Sequence, residues 1–300
     1  MRRIIAIAGA LVLLLSGCQS DKKPAPAPVA TGNLCERMLP KLAGTWKVTA
    51  ALPSALAPMA DSCKLTDTEA PQHMVRVSLS ILPVSAAEAV RLRKVTEENF
   101  RSGHVAAKVM DGGLGEGSWT LDPVAAAPQL GFRTADRLVL IRGDSAYGSA
   151  YRSDRSTLAE LRDMAKAITE LPNGLPIAAP IVDPPHCAPG LAAAEKALGT
   201  KAVLRRGGTV DGTTYCQWGS ATDTVLIRGG GSTSDQAGIF RQYPAPPAKA
   251  VKVGDLGWQE TNGYVTYRVA KTYVDVFTTR DGQAPAVLEL GRAMVVSYRR

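Results

Sequence analysis

The chain has 300 residues, of which 45% are hydrophobic, 21% charged and 5% aromatic, with a formal charge of +8. This length suffices for two domains of ordinary size, even with the first 17 residues removed. The basic residues are scattered, in doublets such as Arg205-Arg206 and Arg299-Arg300, and lack the concentrated stripe of a nucleic-acid binder, so no nucleic-acid partner is expected.

Met1-Arg2-Arg3 is followed by an unbroken apolar run, Ile4 to Leu15. A positive start and a run of that length match a secretory leader, and the run is too short for the ~30 Å of a bilayer core. Nothing later in the chain approaches a spanning length, so no other membrane span is expected. The leader ends in Leu15-Ser16-Gly17-Cys18, which resembles the lipobox of bacterial lipoproteins. That resemblance implies cleavage before Cys18, a diacylglyceryl group on its thiol and acylation of the new amine. Each buried methylene contributes ~0.8 kcal/mol, and two or three chains anchor firmly where one does not. The expected address is the outer face of the cytoplasmic membrane, or the outer membrane in a Gram-negative source.

Residues 19–33, "QSDKKPAPAPVATGN", alternate proline and alanine and form neither helix nor ladder. At ~3.1 Å per residue, this semi-extended tether lifts the folded part of the chain roughly 45 Å from the membrane. With Cys18 assigned to lipid, Cys35, Cys63, Cys187 and Cys216 remain in an oxidising compartment. Four cysteines allow three connectivities, and the near-equal intervals in the two halves favour Cys35–Cys63 and Cys187–Cys216. The competing reading is a metal site, but there is no C-x-x-C and His73, His104 and His186 lack ligand spacing, so no metal and no cofactor are expected.

The equal intervals prompt a comparison of the halves. In the first, "LCERMLPKLAG" reads as a cysteine-led helix, "DSCKL" supplies the second cysteine and "HMVRVSLSIL" alternates as a half-buried strand. "SAAEAVRLRKVTEENF" is a helix with Ser85 and Glu88 in capping-box positions. "GLGEGSWTL" reads as a turn opening on Trp119, and "DRLVLIRG" as a strand. "STLAELRDMAKAITEL" places Leu158, Leu161, Ala165, Ile168 and Leu171 on one helical face, with Ser156 or Thr157 as N-cap. The second half repeats the order as "HCAPGLAAAEKALG", "TTYCQWGS", "DTVLIRGG", "VGDLGWQE", a strand pair turning at Ala270-Lys271, and a terminal helix. Between them "LPNGLPIAAPIVDPPH" reads as a linker.

The expected organisation is a leader at 1–17, a tether at 18–33, a first domain at 34–172, a linker at 173–186 and a second domain at 187–300. Each domain is expected to be α+β, an antiparallel sheet with helices on one face and one disulfide. Leader, lipobox, Pro-rich tether and a cysteine helix followed by Cys-x-Trp (Cys187, Cys216 and Trp218) together make the chain similar to actinobacterial lipoproteins built from a domain of unknown function. In the first half Lys64-Leu65 follow Cys63 without a tryptophan. The resemblance implies a lipid-anchored accessory protein of the cell envelope and brings no activity with it.

No catalytic constellation is legible. "DGGLGEGSW" lacks the Lys-Ser/Thr of a phosphate loop, no G-x-S-x-G occurs, and "RGGGST" reads as a flexible loop after the Val225–Ile227 strand. The four tryptophans read as core pieces beside disulfides and turns. One segment, "DSAYGSAYRSDR", carries Tyr147, Tyr151, Arg152 and Arg155, a composition suited to an envelope protein or a glycan. The expected function is a non-catalytic binding module, with an envelope hydrolase and a hydrophobic-ligand carrier as the alternatives.

Overall fold

A computed structural model describes residues 33–51, 53, 59–102, 107–123, 127–144, 157–176, 184–244 and 247–299. The leader, Cys18, the tether up to residue 32, His104 and the loop with Tyr147, Tyr151, Arg152 and Arg155 lie outside these residues. Among the described residues, no helix is long and apolar enough to cross a membrane.

The first half runs α1 (Leu34–Met38), β1 (Trp46–Ala50), β2 (Ala60–Asp67), β3 (Met74–Ser80), α2 (Ala86–Ser102), β4 (Ala107–Asp111), β5 (Trp119–Pro123), β6 (Gln129–Thr134), β7 (Arg137–Asp144) and α3 (Leu158–Thr169). The second runs α4 (Leu191–Leu198), β8 (Leu204–Val210), β9 (Thr213–Gly219), β10 (Thr224–Gly230), α5 (Asp235–Phe240), β11 (Lys249–Ala250), β12 (Leu256–Gln259), β13 (Val265–Val269), β14 (Thr272–Thr278) and α6 (Ala284–Tyr298). The molecule is α+β, with two antiparallel seven-stranded sheets ordered β1-β2-β3-β7-β6-β5-β4 and β8-β9-β10-β14-β13-β12-β11. The second sheet repeats the topology of the first, strand for strand.

In both halves the first and last helices cover one sheet face and bury the core. The first core gathers Met38, Leu65, Val77, Phe132, Ile141, Leu161 and Ile168; the second gathers Trp218, Ile227, Tyr267, Val276, Leu290 and Met294. The disulfides staple helix to sheet at matching places. Cys35 bonds Cys63 on β2 across 28 residues, and Cys187, in the 3-10 turn before α4, bonds Cys216 on β9 across 29. Such a loop stabilises by about 3.6 kcal/mol in the chain-entropy account.

Local sequence explains the helix ends. Asn33 and Glu36 form a capping box on α1, and Thr157 caps α3 by accepting from the Glu160 amide. The box expected on α2 is half made: Ser85 accepts from the Glu88 amide, while the Glu88 carboxylate turns to Arg91. Two strands differ from expectation. β3 lies inside the sheet and is covered on both faces, so Ser78 and Ser80 are buried, with the Ser78 and Ser62 hydroxyls 2.9 Å apart. "RGGGST" is not a loop from its start, because β10 continues through Arg228, Gly229 and Gly230. The reason is space: side chains at the two glycines would strike the Tyr298 ring on one face and Ser234 on the other.

The middle helix of each half rests over the opposite sheet face: α2 through Ala89 and Leu92 on Leu138, α5 through the Phe240–Tyr273 ring contact. The halves meet through Met59, Ile81 and Leu204 and through an ion pair of Asp61 on β2 with Arg206 on β8.

Candidate functional site

Between the halves lies a cleft of about 370 Å³. From the first half α2 contributes Leu92, Val95 and Thr96, and the sheet contributes Trp119, Gly131, Leu138 and Leu140. Facing them from the second half are Asn262, Tyr264, Phe277, Thr278, Thr279 and Asp281. The volume lies at the low end of the ~300–1,000 Å³ of small-molecule sites.

Strand alternation explains the walls. Leu130 and Phe132 point to the first core, so Gly131 faces the cleft, and Trp119 opposite it on β5 lies over that glycine. A Cβ on Gly131 would come 2.5 Å from the indole, so the ring occupies the room a side chain would need. In the second half Val274 and Val276 enter the core, which turns Asp275 and Phe277 to the other face. Trp218 is a core residue, as expected of the tryptophans. Trp119 is buried too, yet it also walls the cleft.

Behind the second wall is a charged network. Asp275 is fully buried and accepts from Arg228 on both oxygens, Nη2 to Oδ2 at 2.5 Å and Nε to Oδ1 at 3.3 Å. The Tyr264 hydroxyl donates to Asp275 Oδ2 at 3.1 Å. The Tyr264 and Phe277 rings stack with centroids 5.8 Å apart and planes 21° off parallel, and the Arg228 guanidinium lies 5.4 Å from the Phe277 centroid. Desolvation pulls the Arg228 pKa down, and the Asp275 charge and hydrogen bonds more than offset it. Burial, followed by the Asp275 charge, pushes the Tyr264 phenol far above its ordinary value, so its proton stays in place. The neighbouring Tyr243, partly buried and hydrogen-bonded to Glu260, is likewise pushed above the ordinary phenol value.

Two further clusters involve histidine. His73 lies between Glu160 (Nε2 to Oε2, 3.0 Å) and Asp67 (Nδ1 to Oδ2, 3.4 Å), with Trp46 edge-on at 5.0 Å. Both ring nitrogens are engaged, leaving none to activate a nucleophile, and the cluster ties the start of α3 to the β2–β3 turn. The Asp67 carboxyl is lowered, first by the Glu69 backbone amide. Ring nitrogen and sulfurs of His186, Cys187 and Cys216 lie within 4.8 Å of one another. Both sulfurs are spent in the disulfide, so no thiolate is offered to a metal. The glycine turn 112–118 is knit to itself: Asp111 accepts from the Gly113 amide and the Ser118 hydroxyl, which lowers its pKa.

The fold thus brings together residues that the sequence analysis did not single out: Tyr264, Phe277, Asn262 and Asp281, with Arg228 and Asp275 behind them. Their one signal is a lone charge in each of two apolar strands, "TVLIRGG" and "TYVDVFT", and only the register Arg228↔Asp275 makes them partners. No protein-family model, no curated protein and no solved structure matches the chain.

Proposed function

We propose that the protein is an exported, lipid-anchored binding protein of a bacterial envelope, similar to the actinobacterial tandem-domain lipoproteins, whose ligand enters the cleft between its halves. The observation that carries this is the lining: aromatic side chains on both walls and aliphatic ones on the first, with hydroxyl and amide groups and one exposed carboxylate, Asp281, around them. Apolar walls with a few placed polar groups are what a binding site needs. Hydrolysis needs an activated nucleophile or a carboxylate pair, and the lining residues supply neither. A carrier of long hydrocarbon calls for a dry apolar tunnel, against which the Asn262, Thr278, Thr279 and Asp281 groups argue.

The address and the binding role are tested together by expressing the full chain in a high-GC Gram-positive host. Wild type should partition with membranes and carry a diacylglyceryl Cys18, while Cys18→Ala should be released folded into the medium. Retention of Cys18→Ala in membranes would overturn the anchor. Cross-linked material captured by wild type and lost from Phe277→Ala would support the cleft. Turnover of peptidoglycan or esters by purified protein would replace binding with catalysis.

A further inference from the structure

The rings of the second wall are fixed from behind. A fully buried Asp275 and an Arg228 almost as deep carry a desolvation cost that apolar residues would avoid, and the first half does avoid it. The two sheets can be superposed by register, since Cys63 pairs with Val77 and Cys216 with Ile227. By that register Ser78 and Leu140 stand where Arg228 and Asp275 stand. The network therefore belongs to the second half alone. It ties the Tyr264 hydroxyl to Asp275 and lays Arg228 against Phe277, holding both rings in place where they line the cleft.

We infer that the cleft these rings line is a site for a neutral pyranose ring. Resting on the proposal that the cleft binds a ligand, the inference names the ligand class. The C–H face of a sugar lies against the aromatic side chains that line the cleft, Trp119, Tyr264 and Phe277, and its hydroxyl edge turns to Asp281, Asn262 and Thr278. Three features select this chemistry. Among the described residues no lysine or arginine lines the cleft, so a phosphate or carboxylate finds no counter-charge from them. An acyl chain would leave the amide, hydroxyls and carboxylate without partners. A sugar satisfies both kinds of wall, one through its flat apolar face and the other through its hydroxyls. The Asp281 carboxylate is exposed and takes no hydrogen bond or ion pair among the described residues, leaving both oxygens for adjacent sugar hydroxyls.

The test is saturation-transfer NMR and calorimetry on the secreted Cys18→Ala chain with maltotriose, mannotriose and N,N′-diacetylchitobiose. At least one should receive saturation at the ring protons of a single face. Phe277→Ala should abolish it, and Asp281→Asn, at an exposed position that leaves melting unchanged, should weaken binding about tenfold or more. Tyr264→Phe keeps the ring but frees it from Asp275. It should weaken binding a few-fold and raise the mobility of that ring in carbon relaxation, a readout that simple destabilisation would not produce. Absence of transfer to all three sugars, or transfer untouched by both Phe277→Ala and Asp281→Asn, would overturn the assignment. If Phe277→Ala still loses cross-linked material while no sugar binds, the ligand class falls and the cleft remains; if neither effect appears, both fall.

Discussion

The two halves share a strand order and a disulfide position, yet they fill the equivalent space with opposite side chains. Three residues past the helix cysteine, the first half has Met38 and the second Gly190; two residues past the strand cysteine they have Leu65 and Trp218. Met38 and Leu65 are fully buried side by side in one core, whereas a Cβ on Gly190 would come 2.9 Å from the Trp218 ring. The large and small partners are exchanged across the helix–sheet contact. Cores tolerate such swaps when total volume and pattern are kept. What repeats is the volume between helix and sheet, which is why the halves look alike in topology and unlike in sequence. On the opposite faces the halves diverge further, Ser78 and Leu140 against Arg228 and Asp275, and there no shared volume constrains them.

Removing one charge of the network should cost the second half most. Arg228→Ser leaves Asp275 buried without its partner and should cost about 3–5 kcal/mol. Adding Asp275→Leu, which installs the first half's pair, should recover most of that loss in urea denaturation of the second half. If the double variant is no more stable than the single, the network is not replaceable in the way its counterpart suggests. The disulfides come next. Their loops are nearly equal, so Cys35→Ser with Cys63→Ser and Cys187→Ser with Cys216→Ser should each lose about 3.6 kcal/mol. Strongly unequal losses by calorimetry would show that the two staples hold different amounts of structure.

A smaller effect tests the volume exchange. Gly190→Met alone should overpack the second core by about 1–3 kcal/mol, and Gly190→Met with Trp218→Leu should regain part of it, a coupling that a double-mutant cycle reads directly. Alkali should separate the halves most gently. Tyr264, Tyr267 and Tyr243 all titrate above the ordinary phenol value, each first through burial. Their stabilisation is therefore present below the unfolded value of ~10 and falls as pH rises above it, because the unfolded chain then releases protons that the folded one keeps. Six of the eight tyrosines lie beyond residue 186, so the second half should unfold first on raising pH, with delayed phenolate absorbance as the signal. Unfolding that starts in the first half would refute this.

Much of the architecture was legible from local pattern. Cysteine spacing anticipated both staples, Thr157 and the stripe from Leu158 to Leu171 gave α3, and the turn at Ala270-Lys271 separated β13 from β14. The candidate site was not legible. The loop expected to bind, with Tyr147, Tyr151, Arg152 and Arg155, lies outside the described residues, while the cleft is assembled from strands and helices as far apart as Leu92 and Asp281. No local pattern marks which strand residues end up facing each other. "RGG" read as a loop because glycine usually breaks structure, and it is strand because Tyr298 and Ser234, distant or later in the chain, need the space.

By itself, then, the sequence determined the strongly patterned helices and strands, the favoured pairing of the cysteines and the shared order of the two halves, because periodicity, caps and spacing act over a few residues or along a single loop. Tertiary structure alone decided that Arg228 meets Asp275, that Trp119 faces Phe277 and Tyr264 across a cleft, and that Gly190 makes room for Trp218. Those outcomes depend on strand register and on how two sheets come together, quantities set by packing between residues far apart in the chain.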